Sequence, residues 1–447
     1  MLRNGVFQGK CDQGRNEVAA LDSPRFGGDI NDKIPETIVM KKTLLAQSVA
    51  LACLAAAAGG AQAVSFTQND VTLDINGTIN GFYVNRESKT SQIGSPDTKT
   101  QNSALTNGLL PGWINFVMTT KQAGQDIKAH FSFAPGINDS SNVIGLPSDP
   151  GAGATGGKNS PFSQVDVRNV YFQFGNNDWG TLKFGRDIGL FGQNIILSDM
   201  TLLGVGGTSN AGIPFNTTFG MIGHGYMYTG FQAQITYTTP NFNGLQASAG
   251  IFQPSSFAGD QTKTPGFQAK VDYDWKGAMP GKVWGGLVSQ STSCSKGSTC
   301  NGATGNPDKT FTASGYEIGA KAGMNGFEGV LYAFTAKGLG LSTVGAQFYG
   351  GSDGLGNKTA SSGYLMQGTY TYNKTKFGIN YGQNKDKDGF LGAGEDRKNR
   401  AYTLGVYHSL NKFVTLVGEL NQEKINASAS NYEQKNRTIS GGAILFF

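Results

Sequence analysis

Residues 71–83 alternate between apolar and polar side chains at every step, which strongly limits what this segment can fold into. The odd positions are apolar or small and the even positions are polar, reading Val71, Leu73, Ile75, Gly77, Ile79, Gly81 and Tyr83 against Thr72, Asp74, Asn76, Thr78 and Asn80. A period of two places the two sets on opposite faces of a β-strand, whereas a helix would scatter both around its axis. The segment therefore predicts a strand with one face in an apolar environment and the other in water.

Similar strands follow in pairs joined by short turns. Asn325-Gly326 is the clearest turn, because both residues suit the positive φ angles of a two-residue hairpin. With the first strand and a last one at Arg437–Phe447, the pairs predict sixteen strands, and longer Gly/Ser/Asn/Asp/Lys-rich loops separate the hairpins. The predicted pairs are Trp113–Gln122 with Ile127–Ala134, Val165–Phe174 with Thr181–Arg186, Phe231–Thr239 with Leu245–Gln253, Phe267–Trp275 with Lys282–Gln290, Gly315–Met324 with Phe327–Ala336, Gly363–Tyr372 with Phe377–Asn384, and Ala401–Leu410 with Phe413–Gln422.

The composition agrees with a membrane barrel. Residues 64–447 contain no run of 18 apolar residues, so no transmembrane helix is expected. The mean hydropathy of −0.27 is too polar for a helical membrane protein, but it suits strands that are apolar on one face only. A net charge of +5 is small for this length and does not indicate nucleic-acid binding. We therefore predict an all-β, sixteen-stranded antiparallel transmembrane β-barrel with an aqueous lumen.

The N-terminal region predicts export. Met40-Lys41-Lys42, the apolar run Leu44–Ala58 and the A-x-A site Ala61-Gln62-Ala63 together indicate a Sec signal peptide over residues 40–63. Residues 1–39 show no apolar periodicity and are interpreted as translation from too early a start codon. The barrel domain is then 64–447, and its apolar last segment Gly441–Phe447 is expected to be a strand that closes a barrel in a bacterial outer membrane. Short turns would face the periplasm, and long loops the exterior.

Two local motifs fall in predicted extracellular loops. Cys294 and Cys300 lie in a polar stretch of an exported chain, so we expect a disulfide that pins the loop tip. The segment 384–395 places oxygen donors at positions 1, 3, 5 and 12 of a calcium-loop pattern, with Gly389 at position 6. Its candidate ligands are Asn384, Asp386, Asp388 and Glu395. A solvated polar loop without calcium is the alternative, and no other cofactor is expected.

Several patches resemble a known family when their order and spacing are taken together. They are Ile127-Lys128-Ala129, Arg168-Asn169-Val170-Tyr171-Phe172, Trp179 to Arg186, Tyr237 to Gly244, and the terminal Phe447. With these patches the sequence resembles the Gram-negative general porins, especially the trimeric type of betaproteobacteria. The resemblance implies a homotrimer in the outer membrane that passes small hydrophilic solutes and ions by diffusion. It also implies contacts with outer-membrane lipid and lipopolysaccharide, and with periplasmic chaperones and the barrel-assembly machinery, which would read Phe447.

The resemblance further implies that the third long loop, roughly Asp187–Tyr228, folds into the lumen and narrows the pore. Its length of roughly 40 residues exceeds that of ordinary loops. It is also apolar, with Leu190, Phe191, Ile195, Ile196, Leu197, Met200, Leu202 and Leu203 close together. Such a loop is expected to pack against the inner wall, although an extracellular flap or a subunit contact would also cover it.

In this family a basic cluster on the wall faces acids on the third loop, which creates a transverse field. Arg168 and Arg186 would supply the basic side, and Asp187 and Asp199 are the only acids in the third loop. Lys183 is a further basic candidate, but it has the opposite strand parity to Arg186, so only one of the two can face the lumen on a regular strand. The alternative for Arg168 is an ion pair with Asp166 on the same face. At two places where members of this family commonly have a basic residue, this sequence has Pro111–Asn115 and His224–Thr229 instead. We therefore expect weak charge selectivity.

Two other functions are considered. A substrate-specific channel could use Tyr226, Tyr228 and Phe231 as an aromatic track, and a non-transport barrel could act through its loops as an adhesin or a structural protein. An enzyme is not expected. The nearest approach to a catalytic pair is His130 with Ser132, but their strand face is predicted to be lumenal, whereas an outer-membrane hydrolase would need the pair on the lipid-facing wall.

Overall fold

The described part of the chain comes from a computed structural model. It comprises residues 63–137, 165–208, 217–254, 260–294, 299–300, 303–304, 310–339, 358–387, 396–428 and 431–447. The predicted N-terminal extension and all of the predicted signal peptide except Ala63 lie outside these residues, as do Asp388 and Glu395.

Sixteen long strands form the wall, as the hairpin pattern predicts. They are β1 Val71–Gln92, β2 Trp113–Gln122, β3 Gln125–Pro135, β4 Val165–Asn176, β5 Gly180–Ile188, β6 Phe231–Thr238, β7 Leu245–Phe252, β8 Gly266–Trp275, β9 Gly281–Cys294, β10 Thr310–Met324, β11 Phe327–Lys337, β12 Ala360–Tyr372, β13 Thr375–Lys387, β14 Arg397–Ser409, β15 Val414–Ala427 and β16 Tyr432–Phe446.

Each strand pairs antiparallel with its sequence neighbour, and β1 closes the barrel by pairing with β16 from Thr78↔Phe446 to Ser91↔Glu433. The predicted all-β, sixteen-stranded antiparallel barrel is confirmed. Within the described residues, such closure pairs both edges of each of the sixteen long strands.

Strand β1 is unusually long and is shared between several partners. Below its pairing with β16, the short strand Val64–Gln68 occupies the same edge. On its other edge β2 pairs with residues 71–78, and the strand Ser95–Thr106 pairs higher up, with Phe82↔Thr106 in register. The first long loop is therefore a β-hairpin that extends the wall.

The turns on one rim are short, and their residue types suit the backbone angles that tight hairpins require. At Asn325-Gly326 the φ angles are 52° and 85°, the left-handed values that a tight primed hairpin requires. The long connections lie on the opposite rim.

The two faces of the wall differ in polarity. Large apolar side chains are exposed on the outside, for example Ile318, Phe327 and Leu331, each at 60% or more of its maximum. Polar residues alternate with them on the inner face, which is the pattern of a barrel surrounded by lipid. No helix in the described residues is long and apolar enough to cross a membrane.

The interior contains a packed core in addition to the polar wall. The third loop, defined here as residues 189–230 between β5 and β6, contains the helix α1 Gln193–Ser198 and a 3-10 turn Met200–Leu203. Its apolar side chains are buried, including Phe191, Ile195 and Val205. Residues 107–112 also pack inside, and the Leu109 amide donates to the Gly204 carbonyl at 2.8 Å. A sixteen-stranded barrel alone would leave a wide lumen, so these two segments determine how much of it stays open.

Candidate functional site: the third loop and the inner wall

The third loop enters the barrel across β8. Gln268 on the inner face of β8 accepts hydrogen bonds from the backbone amides of Leu190 and Phe191, at 2.8 and 3.0 Å. The helix α1 starts immediately afterwards, and Asn194 donates to Asp272 on the same wall strand. Buried backbone amides need acceptors, and here the wall side chains supply them.

The next contacts lie on β10 and β12. Glu317 accepts from the Gly192 amide at 2.9 Å. Gln367 accepts from the Met200 amide and donates to the Ser198 carbonyl, both at 2.7 Å. The Gln367 side chain thus pairs with one backbone donor and one backbone acceptor at the end of α1. These two hydrogen bonds fix the loop at that point of the wall.

Glu419 on β15 holds the far part of the loop. One carboxylate oxygen accepts from the amides of Val205 and Gly206, each at 2.8 Å, and the other accepts from the Tyr407 hydroxyl at 2.6 Å. Together with the preceding contacts, this attaches the loop to wall strands from β8 to β15. The expectation that the third loop folds into the lumen therefore agrees with the structure.

Asp199 joins two parts of the third loop by hydrogen bonds. Its carboxylate accepts from the amide and hydroxyl of Thr201, from the Met221 amide and from the Tyr226 hydroxyl, at 2.7–3.1 Å. The side chain is 3% exposed. Burial raises the pKa of this carboxyl, and the hydrogen bonds oppose that rise. The expectation that Asp199 is a charge facing the pore is wrong for this reason: its oxygens accept from Thr201 in the 3-10 turn and from Met221 and Tyr226 in the returning part of the loop.

Two wall glycines on β13 make room for the loop. A Cβ added at Gly382 would overlap the carbonyl oxygen of His224, and one at Gly378 would overlap the sulfur of Met200. Both positions are on the inner face. The loop backbone consequently lies directly against the wall at this strand, closer than any side chain would allow.

His224 is buried at the same place. Its Nε2 lies 3.5 Å from a carboxylate oxygen of Glu423 on β15. Burial lowers the pKa of His224, Glu423 acts in the opposite direction, and Arg397 adds to the lowering. The imidazole is therefore held in its neutral form, since the desolvation effect is the largest.

Arg168 lies in the wall beside two aromatic rings. Its Nε is 2.9 Å from Asp166, and its guanidinium is 5.6 Å from the Trp113 ring centroid and 5.4 Å from that of Phe231. Arg168 is 5% exposed. The ion pair with Asp166, the alternative considered from the sequence, is present, and it is combined with cation–π contacts.

Arg186 lies on the outer face of the wall and not on the lumenal face. It pairs in register with Val170, which is exposed on the outer face, and its Nε donates to the Val167 carbonyl at 3.0 Å. The expected pore role of Arg186 is contradicted by this register, because strand parity turns the residue away from the lumen. Lys183, on the other parity, does face inward.

Lys183 and Asp187 form an ion pair on the inner face of β5. Asp187 also accepts from the Asn169 amide group at 2.7 Å. The sequence indicated both residues as pore candidates, and the structure brings them together. Lys128 lies on the same inner face, with its ammonium 5.9 Å from the ring centroid of Tyr171.

The remaining candidates are placed as follows. His130 contacts Asn115 at 3.1 Å and Tyr171 at 3.4 Å, whereas Ser132 donates to Asn169 at 2.8 Å, so these two residues have separate partners. Tyr226, Tyr228 and Phe231, the proposed aromatic track, are buried in the packed interior.

Two motif predictions are only partly covered by the described residues. Asn384 donates to the Tyr226 carbonyl at 3.3 Å and Asp386 accepts from the Ser361 hydroxyl at 2.8 Å, but the other two candidate calcium ligands lie outside. Cys294 ends β9 and Cys300 lies in a two-residue strand, Thr299–Cys300. The disulfide stays a prediction.

Comparison with known proteins agrees with this architecture. A sequence profile of the family described as Gram-negative porin matches residues 50–428. The outer membrane channel DcaP of Acinetobacter baumannii is similar in structure, with a TM-score of 0.57 and 14% identity over 86% of this chain and 100% of that chain. OmpF of Salmonella typhi, solved in a complex with daunomycin, gives a TM-score of 0.50 and 16% identity over 86% of this chain and 100% of its own. A comparison with curated proteins found no match.

The barrel, the inward loop and the profile lead to one assignment. The chain belongs to the Gram-negative porins and forms an outer-membrane channel for passive diffusion.

Proposed function

We propose that this porin is a narrow, weakly charge-selective channel for small hydrophilic solutes and ions, in which the docked third loop sets the size limit. The supporting observation is the set of hydrogen bonds from Gln268, Glu317, Gln367 and Glu419 to the loop backbone. A loop held at four wall strands cannot leave the lumen without exposing several buried donors at once. The open cross-section is therefore smaller than sixteen strands alone would give.

Solute uptake into liposomes tests the size limit. Proteoliposomes are placed in isotonic sugars of increasing size, and the swelling rate reports entry of each sugar. We expect the rate to fall steeply from a monosaccharide to a trisaccharide. Equal rates for all sugars would contradict a loop-limited channel, and no swelling in any sugar would contradict diffusion itself.

Weak selectivity is supported by the pairing of inward charges on the short-turn side of the barrel. Three lysines there have carboxylate partners at 3.0–3.4 Å, namely Lys270 with Asp272, Lys282 with Asp274 and Lys321 with Glu328. Paired charges of opposite sign largely cancel at a distance. A reversal potential close to zero under a potassium chloride gradient is expected, and a potential near the Nernst limit for either ion would refute this part.

The assembly is also part of the proposal. We infer a homotrimer from the family resemblance, in contact with outer-membrane lipid and lipopolysaccharide. Phe447 is proposed as the residue that the assembly machinery reads. Cross-linking in native membranes should give a band three times the monomer mass. Recovery of the monomer alone would contradict the trimer.

Two loop assignments are kept as proposals with direct tests. A Cys294–Cys300 disulfide predicts no free thiol in the exported protein until a reductant is added. Calcium bound by Asn384, Asp386, Asp388 and Glu395 predicts heat in a calorimetric titration at millimolar calcium. Free thiols, or a titration without heat, would remove the respective site.

A further inference from the structure

Three inward side chains form a row across the neighbouring strands β3, β4 and β5. Lys128 on β3 is in register with Gln173 on β4, and Gln173 is in register with Lys183 on β5. We call these three residues the lysine row. Since neighbouring strands are about 4.8 Å apart, the two lysine backbones are about 10 Å apart with the amide between them.

The ring of Tyr171 supports both ammonium groups. Its centroid lies 5.9 Å from Nζ of Lys128 and 4.7 Å from Nζ of Lys183. Both ammonium groups therefore lie near one aromatic ring on the inner face. Their positions are restricted, which lowers the entropic cost of holding a ligand between them.

Only one of the two ammonium groups is in direct contact with a carboxylate in the described residues. Lys183 pairs with Asp187. Lys128 has no carboxylate within 4 Å among the residues the structure describes. Asp187 and Asp74 act on the Lys128 ammonium from beyond that distance, and Asp74 accepts a hydrogen bond from the Ser65 hydroxyl. The region thus combines one paired and one unpaired lysine.

The amide of Gln173 lies between the two lysines of the row. Its oxygen is buried and has no hydrogen-bond donor within the described part of the chain. Rotation of the side-chain amide by about 180° would present its NH₂ group at the same place. A ligand with acceptor oxygens would satisfy that group and the Lys128 ammonium together.

The acids of the opposite wall do not compete for Lys128. Glu317 and Glu419 accept backbone amides of the third loop, on β10 and β15. The loop contacts described above run from β8 to β15, and the lysine row lies outside that part of the wall.

We propose that the lysine row is a binding station for a small oxyanion such as inorganic phosphate, held by the Lys128 and Lys183 ammonium groups and the Gln173 amide. The station rests on the proposed channel function. It would bind passing anions briefly through charge-assisted hydrogen bonds, and a weak, multi-site interaction of this kind still permits release. It requires no strong overall selectivity, because it acts over a short distance.

The test is inhibition of chloride current by inorganic phosphate in planar bilayers. Single channels are recorded in chloride at constant ionic strength while phosphate is raised. The wild type should show saturable block. Lys128→Gln should raise the half-blocking phosphate concentration by about tenfold, the loss expected for one charge-assisted hydrogen bond.

Lys282→Gln is the matched control. Lys282 faces inward on β9 and pairs with Asp274 at 3.2 Å, so the variant makes the same change of charge on another part of the wall. Its half-blocking concentration should stay within about twofold of the wild type. A heat-induced shift on gels confirms that both variants are folded.

Three results separate the possibilities. Current without saturable block in the wild type would overturn the station and leave the channel intact. Equal shifts in both variants would also overturn it, since a general field would then be responsible. Folded protein that conducts no current would refute the channel itself.

Discussion

Asp199 shows at the scale of a single residue how the third loop is held in its fold. Its oxygens connect the 3-10 turn, through Thr201, to the returning part of the loop, through Met221 and Tyr226. Asp199→Ala would leave these buried donors without acceptors. We expect the loop to lose about 1–3 kcal/mol of local stability, so that amides of residues 193–206 exchange hydrogen about tenfold or more faster in detergent micelles.

Asp178→Ala is the control for this exchange experiment. Asp178 is exposed in the short turn between β4 and β5. The same chemical change there should leave the exchange of residues 193–206 unaltered. Unchanged exchange in Asp199→Ala would show that the carboxylate does not hold the loop.

His224 gives the loop a dependence on pH. Burial lowers its pKa below the ordinary value of 6.5, so the folded loop holds a neutral imidazole while an undocked loop binds a proton as the pH falls through that value. This contribution to docking is therefore complete above about pH 7 and weakens toward pH 5. Exchange of the loop amides, corrected for the intrinsic rate, should accelerate over that interval.

His224→Gln isolates this contribution, because Asp199 in the same loop has a raised pKa and its titration acts in the opposite direction. The variant should show a smaller acceleration between pH 7 and pH 5 than the wild type. An identical pH profile in both proteins would contradict the assignment to His224.

The residue types of the pore could be predicted from the sequence, but their partners only in part. Lys183 and Asp187 were each named as pore candidates, but their ion pair was not predicted. Asp199 was misassigned because Tyr226, which occupies it, is 27 residues away along the chain, and Arg186 because one step of strand parity separates the two faces. The acceptors Gln367 and Glu419 were missed, since nothing in their local sequence distinguishes a wall residue that holds a loop from one that faces water.

At the scale of elements, periodicity identified every wall strand but truncated several at the long-loop rim. The second strand was predicted with its actual bounds, Trp113–Gln122, whereas β13 runs over Thr375–Lys387 and not only Phe377–Asn384. The missed residues Lys385, Asp386 and Lys387 are polar on both faces. Above the apolar band no lipid requires alternation, so the strand there has the composition of a loop.

The contact between the third loop and β13 predicts a steric effect. Gly382→Ala would place a methyl group on the His224 carbonyl. The loop would have to move away from the wall, at a cost of about 1–3 kcal/mol as for other overpacked sites. Faster exchange of the loop amides and easier thermal unfolding in micelles are the expected results.

Gly368→Ala on β12 is the corresponding control. Gly368 is also a wall glycine, but an added Cβ would have no heavy atom within 4 Å. It should behave as the wild type or slightly more stably, since alanine restricts the unfolded chain. Equal behaviour of the two variants would show that the loop does not depend on the glycine surface of β13.

At the scale of the whole molecule, the barrel separates two tasks. The outer face meets lipid with apolar side chains, and the inner face binds the third loop through polar side chains of β8 to β15, while the lysine row lies on β3 to β5. The channel is therefore defined by what fills the barrel as much as by the number of strands. The sequence indicated the filling through the apolar composition of the loop, but it could not indicate how completely the loop and residues 107–112 pack.

Single-insertion conductance in a planar bilayer tests the central claim most directly. We expect residues 64–447, refolded and reconstituted, to give small ohmic steps grouped in threes, with steps smaller than those of a sixteen-stranded porin whose third loop has been deleted. Folded protein that leaves the membrane silent would contradict the diffusion channel. Steps as large as those of the loop-deleted porin would contradict a lumen narrowed by the third loop.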